Sequence, residues 1–403
     1  MGNSQHLNDL IAGKKNLVNY DLSNEELTNF NFNGVDLTGA NLSKSNLSNA
    51  DFRNAILINT NLSGSILKSI PFTNSNLDGA NLTNSNLSYA DFPDANLSNT
   101  NLTGSDLSYT DFSSSNLKNA KMSGLDLRST KMGNILHGCD LQNCNLENKN
   151  FDDVDLCAAN LSGSKLSNTS FRNAILTDAN LSKTNLSLSS LKYANLSNAN
   201  LTGSDLSCSD IRNADLSKAI LSGANLRGVS FDESNLSQTN LSGTNLYRTN
   251  FFKSNLNGAN LQDADLSETF FHSADLRNVV LINLNLGTAN LYAANLEECD
   301  LRNLNLQGKN LSRTNLSFVI LSNANLSNSI LSGANLEGAI LENANLTNAN
   351  LSGADLLETN LKKANLTNAN FDGADITGTL MEGAILENTK LNNTISSTIT
   401  SEY

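Results

Sequence analysis

One position in five carries a large apolar residue, and that register holds almost from end to end. Ala40-Asn41-Leu42-Ser43-Lys44, Ser45-Asn46-Leu47-Ser48-Asn49 and Ala50-Asp51-Phe52-Arg53-Asn54 follow one another without a gap. Each reads as a small residue, Asn or Asp, Leu or Phe, then two polar residues. The large residue, here called the centre, falls at 22, 27, 32 and on to Met132, then at Leu136 and on to Leu391. That makes about 75 repeats, with one residue missing near Asn134. A five-residue period fits no amphipathic helix, which needs 3.6. It fits no plain strand either, whose side chains alternate with period two. Each repeat must therefore hold a short extended piece and a turn. The residue two after the centre is Gly or Asn in about 45 repeats, and about 20 of the 24 glycines sit there. Those residues tolerate positive φ, so that position is the turn. The centre and the small residue two before it share one face of the extended piece and point inward.

Phenylalanine sets the number of repeats per coil. Central Phe occurs at Phe32, Phe52, Phe72, Phe92, Phe112, Phe151, Phe171, Phe231, Phe251, Phe271 and Phe371. Every spacing is a multiple of 20 except 112 to 151, which is 39 and spans the missing residue. All of them lie in one of four columns, so each coil has four sides with one repeat to a side, and the deletion is absorbed as one tightened corner.

The motif resembles that of the pentapeptide-repeat family, A(D/N)LXX, over roughly residues 20 to 394. The resemblance implies an all-β fold, a right-handed quadrilateral parallel β-helix. About 19 four-sided coils at ~4.8 Å would make a solenoid of ~90 Å. Helical spacing of Leu7, Leu10 and Ile11 before Gly13 predicts a short N-terminal helical cap. The expected organisation is a cap over 1–18, repeats over 19–394 and a tail over 395–403.

Chemistry is sparse. His6, His137 and His272 are the only histidines, and the repeat places no nucleophile beside them. No enzyme activity, cofactor or metal site is expected. Cys139 and Cys144 both take the small inward slot and read as substitutes for Ala. Lys149 and Lys309 also take that slot, on the Phe face; the plain reading is that each amine snorkels out. Thr130 and Thr169 could offer hydroxyls to Lys149, and a bound anion or a partner carboxylate is the other reading. Five cysteines make no disulfide framework, no apolar run is long enough to span a bilayer, and no secretory signal is visible. A cytoplasmic protein without a membrane span is expected.

Most outward columns are Asn, Ser and Thr, which makes two patches stand out. On the Phe face the residue after the centre reads Arg172, Lys192, Arg212, Asp232, Phe252, His272 and Tyr292 in successive coils, with Phe270 beside them. This is a candidate protein-docking strip, or drift on an unselected surface. Phe318, Ile320 and Ile340, with Ile330 on another face, form a candidate apolar interface. Ile at the Asn/Asp position also recurs at Ile56, Ile66, Ile175 and Ile220, so the plain reading is drift.

The leading functional reading is a non-enzymatic rigid scaffold that binds a protein of unidentified kind. Association of copies through ends or faces stays open. The resemblance brings two alternatives: a DNA mimic that protects or inhibits DNA gyrase, and a bacterial effector or regulator acting through protein binding. Direct nucleic-acid binding is not expected at a formal charge of −13. Mimicry asks for dense acid: duplex DNA of ~90 Å carries about 53 charges. Nor do the projecting loops and C-terminal helix of gyrase-protecting members find a match in this chain.

Overall fold

A computed structural model describes residues 4–281 and 284–396. It divides into two units, residues 1–204 and 205–403, each taken here by itself. Both are built from the same coil. In the first, Asn41 pairs in parallel with Asn61 and Asn61 with Asn81; in the second, Asn225 pairs with Asn245 and Asn335 with Asp355. Each step spans four pentapeptides. A turn in every pentapeptide leaves no room for long strands, so a single residue per side carries the pairing: a repeat β-helix fold.

The repeat consensus follows from three hydrogen-bonding tasks. The residue two after the centre holds the left-handed conformation, at φ 58 in Asn24 and φ 66 in Gly39. The Asn or Asp before the centre caps that turn: Asn41 Oδ1 accepts the Ser43 N–H at 3.2 Å. The same Asn reaches the neighbouring coil, where Asn61 Nδ2 donates to Asn41 Oδ1 at 3.1 Å. The small slot is buried, and where it holds Ser or Thr the hydroxyl donates to a carbonyl. Ser45 Oγ bonds Leu22 O at 2.8 Å and Thr60 Oγ1 bonds Leu37 O at 2.8 Å. Those bonds answer the cost of burying a hydroxyl. Leu and Phe centres fill the interior, and all eleven Phe of the column are at most 1% exposed. Their rings stack coil on coil, Phe72 on Phe92 at 4.6 Å in the first unit and Phe231 on Phe251 at 5.1 Å in the second.

The N-terminal helix α1 runs Ser4–Ile11, and Gly13 follows it at φ 81. Leu10 is its buried residue, whereas Ile11 is 63% exposed and lies off the covering face. Polar contacts hold α1 down. His6 stacks on Tyr20 at 4.1 Å and its Nδ1 accepts the Asp21 N–H at 2.9 Å. The Tyr20 hydroxyl and then the Lys14 ammonium, both bonded to Asp9, hold that carboxyl down at about 2. The repeats begin earlier than residue 19: Asn16 already pairs with Asp36 and Leu17 is fully buried. Lys15 in the small slot disguised that first repeat. At the other end Ile395 pairs with Asp375, so the ladder extends into the segment expected to be tail. The rest of that tail, 397–403, and residues 1–3 lie outside the described residues.

The deletion is local. Pairing steps by 19 from Asn116 to Ile135 and from Lys121 to Asp140, then returns to 20 at Ile135 to Asp155. The short repeat Lys131–Asn134 has no turn, and Gly133 is tucked inside. A Cβ there would lie 2.6 Å from the Phe112 carbonyl oxygen and 2.8 Å from that of Ser115. Backbone on two sides cannot step aside as a side chain can. Gly133→Ala should therefore destabilise the first unit by about 2–3 kcal/mol, as overpacking does. Chemical denaturation measures it; an unchanged midpoint would mean that the corner has slack.

Candidate functional site

The outward residues of the second unit gather aromatic rings on one side. Phe252, His272 and Tyr292 each follow a buried centre and are each one coil apart. Phe252 meets His272 edge-on at 5.1 Å between ring centres, and His272 meets Tyr292 at 5.0 Å. Phe270 takes the place of a ladder Asn between Asn250 and Asn290 and is 44% exposed. Arg248, Asn250, Phe252, Phe270, His272 and Asn290 line one shallow groove. Cations frame it. Lys253 Nζ sits 5.0 Å over the Phe252 ring, and the Arg248 and Arg227 guanidiniums lie 5.0 and 5.1 Å from the Tyr247 ring. Arg248 also donates to Glu268 at 2.6 Å, which lowers the pKa of that carboxyl.

The basic end of the predicted strip is occupied otherwise. Arg212 forks onto Asp210 at 2.9 and 2.8 Å. Asp232, next in the column, has a shielded Oδ1 without a hydrogen-bond partner, and burial pushes its carboxyl up. Arg172 and Lys192 belong to the first unit, where the Arg172 N–H donates to Asp152 Oδ1 at 2.9 Å. The structure brings together Phe252, Phe270, His272 and Tyr292.

In the second patch Ile320 pairs with Ile340 across coils, while Ile330 pairs with Asn310 and Asn350. Phe318 stands at a turn position at φ 56 with its ring laid over Gly338, where a Cβ would meet ring carbons at 2.6 Å.

The inward lysines do not snorkel. Lys309 is only 7% exposed, and its Nζ donates to the Ala289 carbonyl at 2.6 Å. Lys149 does the same to the Thr130 carbonyl, so Thr130 contributes its backbone oxygen rather than its hydroxyl. In regular coils that carbonyl takes an N–H from the next coil, as Ala274 O does from Asn295 at 2.8 Å. Among the described residues no pairing joins Lys131 to Asn150 or Asn290 to Asn310. The amine fills the opened place in the ladder. Burial lowers both lysines, Lys309 to about 8.

The inward cysteines behave as small apolar residues with a weak donor. Cys139 Sγ lies 2.8 Å from Leu117 O and Cys144 Sγ 3.0 Å from Met122 O, and burial pushes the thiols to about 12 and about 11.

Three further arrangements escaped the sequence reading. Tyr89 and Tyr109 stack on the outside at 4.9 Å, with Lys68 Nζ 5.9 Å over Tyr89. Five Asp-x-Arg repeats form forks in which the Arg grips the Asp two residues before it: Asp51–Arg53, Asp126–Arg128, Asp210–Arg212, Asp275–Arg277 and Asp300–Arg302. His137, Asp155 and Cys157 come together, with one donor atom from each within 4.8 Å of the others. The signal in the first and last cases is a one-coil spacing between outward residues, Tyr89 to Tyr109 and His137 to Cys157.

A family model for pentapeptide repeats matches the chain in overlapping and adjoining segments from residue 31 to residue 368, among them 31–68, 135–173, 209–248 and 329–368. No curated protein matches. Among solved structures the chain is similar to HetL, a pentapeptide repeat protein involved in heterocyst differentiation regulation from the cyanobacterium Nostoc sp. strain PCC 7120. Identity is 29% over 64% of this chain and 89% of that one, with a TM-score of 0.20. It is similar to the pentapeptide repeat protein Rfr23 from the cyanobacterium Cyanothece 51142, at 30% identity over 26% of this chain and 87% of that one, TM-score 0.23. It is also similar to QnrB1, a plasmid-mediated fluoroquinolone resistance protein, at 20% identity over 49% of this chain and 85% of that one, TM-score 0.24.

Proposed function

The chain belongs to the pentapeptide-repeat family, and on that premise we propose that it is a non-enzymatic, cytoplasmic scaffold that binds protein through the aromatic groove of its second unit. Its coils wind right-handed, as the family's do. The observation that carries the reading is the cluster of Phe252, Phe270, His272 and Tyr292 around one groove, on a surface made mostly of Asn, Ser and Thr. Aromatic rings beside arginine dominate the energetics of protein interfaces. The rings stand on a ladder that fixes them at coil spacing, so a partner would meet a preformed surface. The Asp-x-Arg forks favour this reading over DNA mimicry, because they neutralise five acids in place. Among the described residues no helix is long and apolar enough to cross a membrane.

The test is a pull-down with the full chain, repeated with Phe252→Ser plus Tyr292→Ser. Both side chains point outward, so the fold should persist and capture of the partner should fall at least about tenfold, a loss of ~1.4 kcal/mol or more. Phe318→Ser plus Ile340→Ser is the control. If the control abolishes capture and the groove variant does not, the docking site is the C-terminal patch.

A further inference from the structure

We propose that His137, Asp155 and Cys157 form a binding site for a divalent transition metal, with zinc the ion that suits it, clamping two successive coils just after the short repeat. The placement follows from the coil. His137 and Cys157 each follow a centre, one coil apart, in the column set by the pairing of Ile135 with Asp155. Asp155 stands two residues before Cys157, on the same side. Its Oδ1 accepts the Cys157 N–H at 2.9 Å, which fixes the carboxylate and turns Oδ2 toward His137. The Nδ1 to Oδ2 distance is 3.7 Å, and the three donor atoms lie within 4.8 Å of one another. Zinc bonds of about 2.0–2.3 Å set neighbouring donors about 3.3–3.6 Å apart in a tetrahedron. On the carboxylate side only a few tenths of an ångström remain to be closed, a distance within the reach of His137 side-chain rotation.

The donor set selects the ion. One imidazole nitrogen, one thiol and one carboxylate suit zinc and cobalt; magnesium and calcium want oxygen alone. The Cys157 N–H on Asp155 Oδ1 is the outer support that holds a ligand carboxylate in place. Burial and the charges of Asp155 and Asp178 oppose ionisation of the Cys157 thiol. A dication changes that balance: the two carboxylates attract it, and on binding, sulfur exchanges its proton for the metal and releases the proton to solvent. All three residues are half-buried on the outer surface. The fourth position is open to water or to a donor from outside.

Cobalt(II) is titrated into the full chain under reducing conditions. The expected result is one equivalent bound, with near-ultraviolet absorption from thiolate-to-cobalt charge transfer. Cys157→Ser should lose that absorption. His137→Ala and Asp155→Asn should each weaken binding at least about tenfold. Cys208→Ser, which removes an exposed thiol of the other unit, should change neither. Zinc should raise the unfolding temperature of the parent and not of the His137→Ala, Cys157→Ser double variant. An absorption band that survives Cys157→Ser overturns the assignment, and so does no binding at about 0.1 mM metal.

Discussion

Phe251→Ala should destabilise the protein by ~3–5 kcal/mol, the cost of emptying a buried ring site. Phe251 is fully buried and lies between Phe231 and Phe271, with ring centres 5.1 and 5.2 Å away and planes 3° from parallel on both sides. Removing the middle ring leaves a void bounded by two ring faces. Each coil is tied to its neighbours by backbone bonds, such as Phe251 N–H to Phe270 O at 2.7 Å, so the stack cannot collapse to fill it. Asn255→Ala is the matched outward change. It loses the side-chain bond from Asn255 to Asn235 at 3.2 Å and the cap on the Asn257 N–H. Those bonds lie near water, and the loss should be about 1 kcal/mol. Urea denaturation of both variants decides the matter. Equal shifts would mean that the Phe column does not carry the core.

The coil was legible because its two strongest constraints are periodic. Phe fits only the column with room for it, and positive φ falls once in every pentapeptide, so both print their spacing directly onto the chain. What stayed hidden breaks the period or depends on a neighbour one coil away. Lys15 in a small slot concealed the first repeat, although Leu17 kept the register. Gly133 gave no sign that it would be pressed against two carbonyls. Arg212 reads as part of a basic strip by its column; the fork that ties it to Asp210 is a matter of side-chain reach, which column arithmetic does not give. The cluster of His137, Asp155 and Cys157 needs one step along the column and one across a turn, and neither residue type nor local order announces that combination. The aromatic groove was half legible: Phe252, His272 and Tyr292 follow from column arithmetic, but Arg248 enters from the neighbouring side of the coil.

Lys309→Ala should stabilise the protein at pH 7 by about 2 kcal/mol, and the gain should vanish at high pH. Lys309 is 7% exposed, and burial takes its pKa from 10.5 to about 8. Below that folded-state value the ammonium is charged in both folded and unfolded chains, so the full cost of burying it weighs on the fold. Between pH 8 and 10.5 the unfolded chain keeps a proton that the folded chain has lost, and the parent's stability rises with pH. The variant lacks this rise. Its local losses are the amine bond to the Ala289 carbonyl at 2.6 Å and the packing of the buried stem, which the figure of about 2 kcal/mol already discounts. A slot holding Ala lets the backbone N–H of Asn310 approach that oxygen, as the Asn295 N–H bonds Ala274 O. The measurement is the difference in unfolding free energy between parent and variant at pH 7 and near pH 10, which cancels the titration of the other lysines and tyrosines. A positive difference that shrinks toward zero supports this account. A variant less stable at pH 7 would show that the amine, charged and bonded to the opened ladder, contributes more than its burial costs.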